Sequence, residues 1–62
     1  MEIKNQEEIV VGRFYWLTYL DYELVGMALD WYGEIRFAVT GFNDYVEFDS
    51  VSNIHPVCLI KH

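Results

Sequence analysis

The chain has 62 residues, of which 53% are hydrophobic and 18% aromatic, and this composition excludes an intrinsically disordered protein. Its length indicates one domain, and apolar runs such as Val57-Cys58-Leu59-Ile60 are far shorter than the roughly 20 residues of a membrane-spanning helix. Ten acidic and four basic residues give a net charge of −6, which disfavours direct binding to nucleic acid or to an anionic membrane. A basic protein surface is the electrostatically favoured partner.

The first eight residues differ from the rest of the chain. Residues 1–8 are polar and acidic with a single Ile, and they predict an arm whose residues 1–7 are dispensable for folding. Asn5-Gln6-Glu7-Glu8 has the spacing of a capping box, so we expect at most one helical turn there. The arm also lacks a basic segment followed by an apolar one, which predicts that the protein has no secretory signal. Residues 9–62 are expected to form a single β-domain.

Beyond the arm, aromatic and β-branched residues predict strands separated by turns. The first strand falls within Ile9–Leu20, and Asp21-Tyr22 reverses the chain into a second strand over Glu23–Trp31. Gly33 marks the next turn. Glu34–Thr40 then alternates apolar and polar residues, as a half-buried antiparallel strand does.

The second half of the chain predicts two further strands. Gly41-Phe42-Asn43-Asp44 has the composition of a turn, and the short strand Tyr45–Phe48 follows it. Asp49–Asn53 closes at most one 3₁₀ turn before the last strand, His55–Ile60. We expect a meander of four strands with the fifth returning beside the first, which closes a small five-stranded barrel. The predicted core residues are Val25, Ile35, Phe37, Val39, Ile54, Val57 and Leu59.

Neither a metal site nor a catalytic site is expected. Cys58 is the single cysteine, which predicts a reducing, cytoplasmic location. His55 and Cys58 lie an odd number of positions apart and so point to opposite faces of a strand, while a structural zinc site normally takes four ligands. The carboxylates fall mostly at turns of a chain too small for an ordinary substrate pocket. We therefore predict a protein that is not an enzyme and has no cofactor.

Two Trp, five Tyr and four Phe make eleven aromatic residues, more than the interior of so small a barrel accommodates. Several rings are therefore expected at the surface, where Tyr and Trp are typical interface anchors. Alternatively, the rings cap the barrel ends and cover a second, minor core. The predicted partner-binding residues are Trp31, Tyr32, Tyr15, Tyr19, Tyr22, Phe42 and Tyr45, with the acids Asp30, Glu34 and Asp44.

Several motifs resemble those of small phage- and prophage-encoded proteins with SH3-like barrels. The resemblance covers residues 10–60 and lies in Gly12-Arg13-Phe14-Tyr15-Trp16-Leu17, Glu23-Leu24-Val25, Phe37-Ala38-Val39-Thr40-Gly41 and Ile54-His55-Pro56-Val57. The acidic arm and Gly26-Met27-Ala28 depart from the pattern. The resemblance implies an SH3-like barrel, and a function in binding and inhibiting or modulating a host protein.

Three other functions remain open from the sequence. Trp31, Tyr32 and Tyr45, with Asp30 or Asp44, would form a Tudor-like cage for a methylated cation if their loops converge. The acidic surface would otherwise mimic nucleic acid in a DNA-binding groove, or the exposed rings would be buried in a homo-oligomer such as a homodimer. The salt dependence of binding distinguishes nucleic-acid mimicry from aromatic anchoring, because only binding by mimicry weakens steeply as the salt concentration rises.

Overall fold

The computed structural model describes residues 2–57, which form one five-stranded antiparallel sheet. The strands are β1 (Phe14–Tyr19), β2 (Tyr22–Trp31), β3 (Glu34–Val39), β4 (Val46–Glu47) and β5 (Ser52–Pro56), and 3₁₀ turns lie at Gln6–Glu8 and Phe48–Ser50. The order across the sheet is β4-β3-β2-β1-β5. The predicted all-β class, the meander and the return of the fifth strand beside the first are confirmed. The predicted extension of the last strand through Cys58 lies outside the described residues.

Within residues 2–57 the sheet is open, so the predicted closure into a barrel is not found there. The edge strand β4 pairs with β3 at two positions, Arg36–Glu47 and Phe37–Val46. The chain then leaves β4 through a 3₁₀ turn and enters β5 at the opposite edge of the sheet. Phe48 and Val51, which lie between β4 and β5 in the chain, pack against the core.

Two tight hairpins connect the first three strands. Leu20 and Asp21 have φ angles of 52° and 67°, and Tyr32 and Gly33 have φ angles of 52° and 88°. Two successive left-handed residues form the type I′ turn, whose twist matches that of antiparallel strands. The first reversal is therefore at Leu20-Asp21, one residue earlier than predicted. Aspartate and glycine suit this conformation, whereas leucine and tyrosine do not.

The core lies on one face of the sheet. Phe37, Val39 and Ile54 are confirmed as core residues, and the partly buried Ile35 packs against the core cluster. Val57 is half-buried and lies outside this cluster, and the predicted core residue Leu59 is outside the described residues. The buried hydrophobic residues are Ile9, Tyr15, Leu17, Ala28, Phe37, Val39, Val46 and Ile54.

Val25 was predicted in the core, and this assignment is wrong. The buried positions of β2 are Gly26 and Ala28, so Val25 points to the opposite face of the sheet. The core needs small residues here because a Cβ on Gly26 would stand 3.0 Å from Val39 Cγ2 and 3.2 Å from Phe37 Cβ. The side chains of the neighbouring strand therefore take the volume that a larger residue on β2 would occupy.

The amino-terminal arm is paired with the sheet. The amide of Ile3 donates to the carbonyl of Ile54 at 2.7 Å, and the Ile3 side chain packs against the core. Further along the arm, Gln6 Oε1 accepts a hydrogen bond from the Ile35 amide at 3.1 Å. The arm thus passes from β5 to β3, which are not neighbours in the sheet. The expectation that residues 1–7 are dispensable assumed no strand pairing, and this premise is wrong.

Candidate functional site

Three of the predicted site residues form an exposed aromatic group at the β2–β3 hairpin, which we name the aromatic end. The ring centroids of Trp31 and Tyr32 are 5.1 Å apart and those of Trp31 and Tyr45 are 5.2 Å apart, both edge to face. Exposed fractions are 38% for Trp31, 90% for Tyr32 and 43% for Tyr45. Trp31 and Tyr45 lie on the same side of the sheet, because each is an odd number of positions from a core-facing residue, Ala28 or Val46.

Arg36 lies between the rings and the acids of this end. Its guanidinium carbon is 5.7 Å from the Trp31 ring centroid. Its Nη2 is 3.6 Å from Glu34 Oε1 and 3.7 Å from Glu47 Oε2. Both glutamates are more than half exposed, so these pairs add little to the free energy of folding; they neutralise Arg36 beside Trp31. The sequence analysis missed Arg36, although its place on the polar face of the alternating strand, between the core-facing Ile35 and Phe37, indicated a surface position.

Acidic residues surround the aromatic end. Asp30 precedes Trp31 and Asp44 precedes Tyr45 in the chain. Asp30 also stabilises the hairpin, because its Oδ1 accepts a hydrogen bond from the Gly33 amide at 2.9 Å. With Glu34 and Glu47, this end carries four carboxylates against the single guanidinium of Arg36. Such a field attracts a basic surface and accelerates its association.

Tyr15 was predicted at the partner-binding surface, and this placement is wrong. Its side chain is 2% exposed, and its ring meets Phe37 edge to face at 6.3 Å. Its hydroxyl oxygen accepts a hydrogen bond from the Val10 amide at 2.9 Å, which satisfies the buried polar atom. Of the three consecutive rings in β1, only the middle one faces the core, because Phe14 and Trp16 alternate to the other face.

The remaining predicted rings lie at the other end of β2. Tyr19 pairs with Tyr22 across the first hairpin, and Tyr19 and Phe42 meet edge to face at 5.4 Å. Tyr22 and Phe42 are exposed, whereas Tyr19 packs against the core. The ten residues of β2 separate the two ends by about 30 Å at 3.3 Å per residue. The predicted set of rings therefore divides into two surfaces.

A second apolar surface lies on the side of the sheet away from the core, and we name it the outer face. It comprises five residues of β1, β2 and β3, and it continues along β2 through the half-buried Leu29 to Trp31 of the aromatic end, because side chains two positions apart in a strand share a face. Cross-strand pairing places Trp16 opposite Val25 and Phe14 opposite Met27, and Met27 is also opposite Ala38. Phe14 is 54% and Trp16 43% exposed, and the other three are half-buried. The sequence analysis did not assign Phe14 and Trp16, although three consecutive rings in one strand already required rings on both faces.

The aromatic end differs from a cation cage. A cage for a methylated cation surrounds an open space with aromatic faces. Trp31, Tyr32 and Tyr45 do converge, but Trp31 contacts both tyrosines edge to face. The cation beside these rings is Arg36 of the same chain. The geometry is therefore that of a packed group of rings rather than of an open cage.

Within residues 2–57, no three His, Cys, Asp or Glu side chains lie close enough together to hold a metal ion. The same part of the chain contains no helix of the length and hydropathy needed to cross a membrane. No family model matches the chain, and comparisons with curated proteins and with solved structures also found no match.

Proposed function

We propose that this protein is a small binding module that engages another protein through the aromatic end. The observation that carries the proposal is the exposure of Trp31, Tyr32 and Tyr45, with the Trp31 ring in contact with both tyrosines. Tryptophan and tyrosine are the residues most enriched among interface hot spots. A nearly fully exposed tyrosine at a hairpin tip gains the most contact area when a partner covers it.

The carboxylates support a partner with a basic surface. Asp30, Glu34, Asp44 and Glu47 lie around the rings, where they steer association. An exposed charge contributes about 0–1 kcal/mol to binding, whereas truncation of a hot-spot ring costs about 2–4 kcal/mol. The acids therefore set the association rate, and the rings set the dissociation rate.

We further propose that the fold is of the SH3-like type and that the protein is a phage-encoded inhibitor or modulator of a host protein, acting in the cytoplasm. The strand order, with the fifth strand beside the first and a 3₁₀ turn before it, supports the fold. The resemblance of motifs such as Gly12–Leu17 supports the phage origin. The lone Cys58 supports a reducing compartment.

Capture from a bacterial lysate tests the proposed function. The immobilised protein is compared with its Tyr32→Ala variant, and Tyr22→Ala serves as the matched control because its exposed ring lies at the far end of β2. We expect a specific protein to be retained by wild type and by Tyr22→Ala, and its affinity for Tyr32→Ala to fall at least about 30-fold, the equivalent of about 2 kcal/mol. Thermal melting confirms that each variant is folded.

A different pattern would contradict the aromatic-anchor model. If Tyr32→Ala and Trp31→Ala stay folded and bind normally, while Asp30→Asn and Glu34→Gln abolish binding, the acidic surface carries the affinity. Charge mimicry of nucleic acid is then the better account.

A further inference from the structure

We propose that the outer face and the aromatic end form one binding surface, and that an amphipathic α-helix of the partner lies along it. The proposal rests on the function proposed above and names the kind of segment that the partner presents. Its basis is a continuous row on β2: Val25, Met27, Leu29 and Trp31 alternate with the core-facing residues and so share one side of the sheet. No charged residue interrupts this row.

The dimensions of the row match those of a helix. Its aliphatic residues are half-buried, whereas Phe14 and Trp16 on the neighbouring β1 are about half exposed. The distance from Val25 to Trp31 is about 20 Å at 3.3 Å per residue, and three adjacent strands span about 10 Å. An α-helix with its side chains is about 10–12 Å wide, and about 13 of its residues cover 20 Å. One helix of three to four turns therefore covers the row.

The occupant of this surface has to satisfy its own backbone hydrogen bonds. β2 is paired with β1 on one side and with β3 on the other, and β1 has β5 as its second neighbour. The backbone groups of these central strands are engaged within the sheet, so a segment that lies on the face contacts only side chains. Buried backbone amides and carbonyls need hydrogen-bond partners. An α-helix supplies them internally, whereas an extended segment on this face leaves them unpaired.

Charges at both ends of the row indicate the polar residues of the helix. Glu23 precedes the row on the same side of β2. At the other end, Glu34 lies opposite Trp31 and Glu47 lies opposite Arg36, and directly opposite residues share a side of the sheet. Arg36 is the single basic residue of β1, β2 and β3, and two glutamates already flank it. An apolar stripe with Lys or Arg beyond each of its ends is complementary to this pattern.

The two parts together reach the size of a specific interface. Aromatic side chains have about 150–250 Å² of surface each, so the exposed fractions of the five rings leave on the order of 500 Å² open to a partner. The half-buried aliphatic residues and the flanking glutamates extend this area toward the roughly 800 Å² that each partner contributes to a standard interface. Either part alone is smaller, which is why the proposal joins them. The five rings are those of Phe14, Trp16, Trp31, Tyr32 and Tyr45.

Selection from a random peptide library displayed on yeast is the first test, with the full chain as bait. The distance from Glu23 to Trp31, about 26 Å, corresponds to about 17 helical residues, so the library encodes peptides of about 18 residues. We expect enriched peptides to carry apolar residues at i, i+3, i+4 and i+7 and Lys or Arg at both ends. Enrichment of peptides with apolar residues at every second position, or of none, would overturn the helical occupant.

Single substitutions separate this proposal from the proposed function. Phe14→Ala and Tyr32→Ala should each lower the affinity of an enriched synthetic peptide at least about tenfold. Tyr22→Ala, whose exposed ring lies outside both parts, should leave the affinity unchanged. If only Tyr32→Ala weakens binding, the function at the aromatic end stands and the joint surface is wrong. If neither weakens it, both are wrong. A thermal melt of each variant confirms folding.

NMR titration of the unmodified protein gives a second measurement that requires no substitution. The indole N–H signals of Trp16 and Trp31 should shift together as the peptide is added, with one dissociation constant, while the amide signal of Leu20 stays in place. A shift of Trp31 alone would restrict the peptide to the aromatic end and overturn the joint surface. A shift of Trp16 that depends on protein concentration without peptide would assign the outer face to a second copy instead.

Removal of one acid tests the charge pattern. Glu23→Gln should raise the dissociation constant of the peptide about threefold, because an exposed charge contributes up to about 1 kcal/mol. Glu7→Gln is the matched control, since it removes the same charge from the exposed arm, and it should leave the constant unchanged. Equal effects of the two substitutions would show that only the net charge matters and would overturn the placement of the basic residues at the helix ends.

Discussion

Tyr32 illustrates how a single residue in this protein is held in a conformation that its side chain disfavours. Its φ of 52° belongs to the first central position of a type I′ turn, where Asn, Asp and Gly are preferred. Its ring is almost fully exposed and so returns little packing energy to the fold. Strain of this kind persists most often at functional positions.

We therefore expect Tyr32→Asn to raise the stability of the fold while it removes the anchor. Relief of the left-handed strain is worth about 1 kcal/mol, which corresponds to a rise in melting temperature of about 4–8 °C for a domain of this size. Binding of the protein captured from the lysate should be lost. Leu20→Asn is the matched control, since Leu20 occupies the same turn position at the other hairpin: its melting temperature should rise equally and its binding should be retained. A lower melting temperature for Tyr32→Asn would show that the ring supports the fold.

At the scale of elements, the arm acts as a strap between two strands that are not neighbours. It contacts β5 through Ile3 and β3 through Gln6. The Asn53 amide also donates to Glu2 Oε2 at 3.2 Å. The residues that these contacts join are 29 to 51 positions apart in sequence, so the arm closes long loops in the folded chain. An arm paired in this way contributes to folding even though most of its residues are polar.

Deletion of residues 1–7 should accordingly lower the melting temperature. The loss of the Ile3 packing and of the hydrogen bonds to β3 and β5 is expected to cost about 2 kcal/mol. Glu7→Gln is the control: it removes one charge from an exposed position and should leave the melting curve unchanged. Scanning calorimetry of the three proteins makes the comparison, and an intact melting curve after the deletion would show that the arm is dispensable after all.

For the whole molecule, the charge of −6 predicts how binding at the aromatic end responds to salt. The Debye length shortens to about 8 Å at physiological ionic strength, so added salt screens the attraction of the aromatic end for a basic partner. The rate at which the partner associates with the aromatic end should fall about tenfold or more as salt is added, while the rate of dissociation stays nearly constant. Stopped-flow mixing and surface binding measure these two rates. A dissociation rate of the captured protein that rises steeply with salt would point to charge mimicry.

The sequence by itself determined the local features of this fold. The alternation of Glu34–Thr40 identified β3 and its core-facing residues, because side chains in a strand change face at every residue. Gly33 placed the second hairpin turn, since a left-handed position favours glycine. The surplus of rings over the volume of a small core required exposed aromatics, and Trp31 and Tyr32 were recognised beside that turn from composition alone.

Only the tertiary structure decided which face of a strand is buried and which rings meet. Both faces of β2 are apolar, so its alternation did not reveal that Gly26 rather than Val25 faces the core; the volume already filled by Phe37 and Val39 determines this. The contact between Trp31 and Tyr45 depends on strand order, and the pairing of Ile3 with Ile54 joins residues at opposite ends of the chain. Such contacts are chosen by packing across the whole sheet, a quantity that no local pattern in the sequence contains.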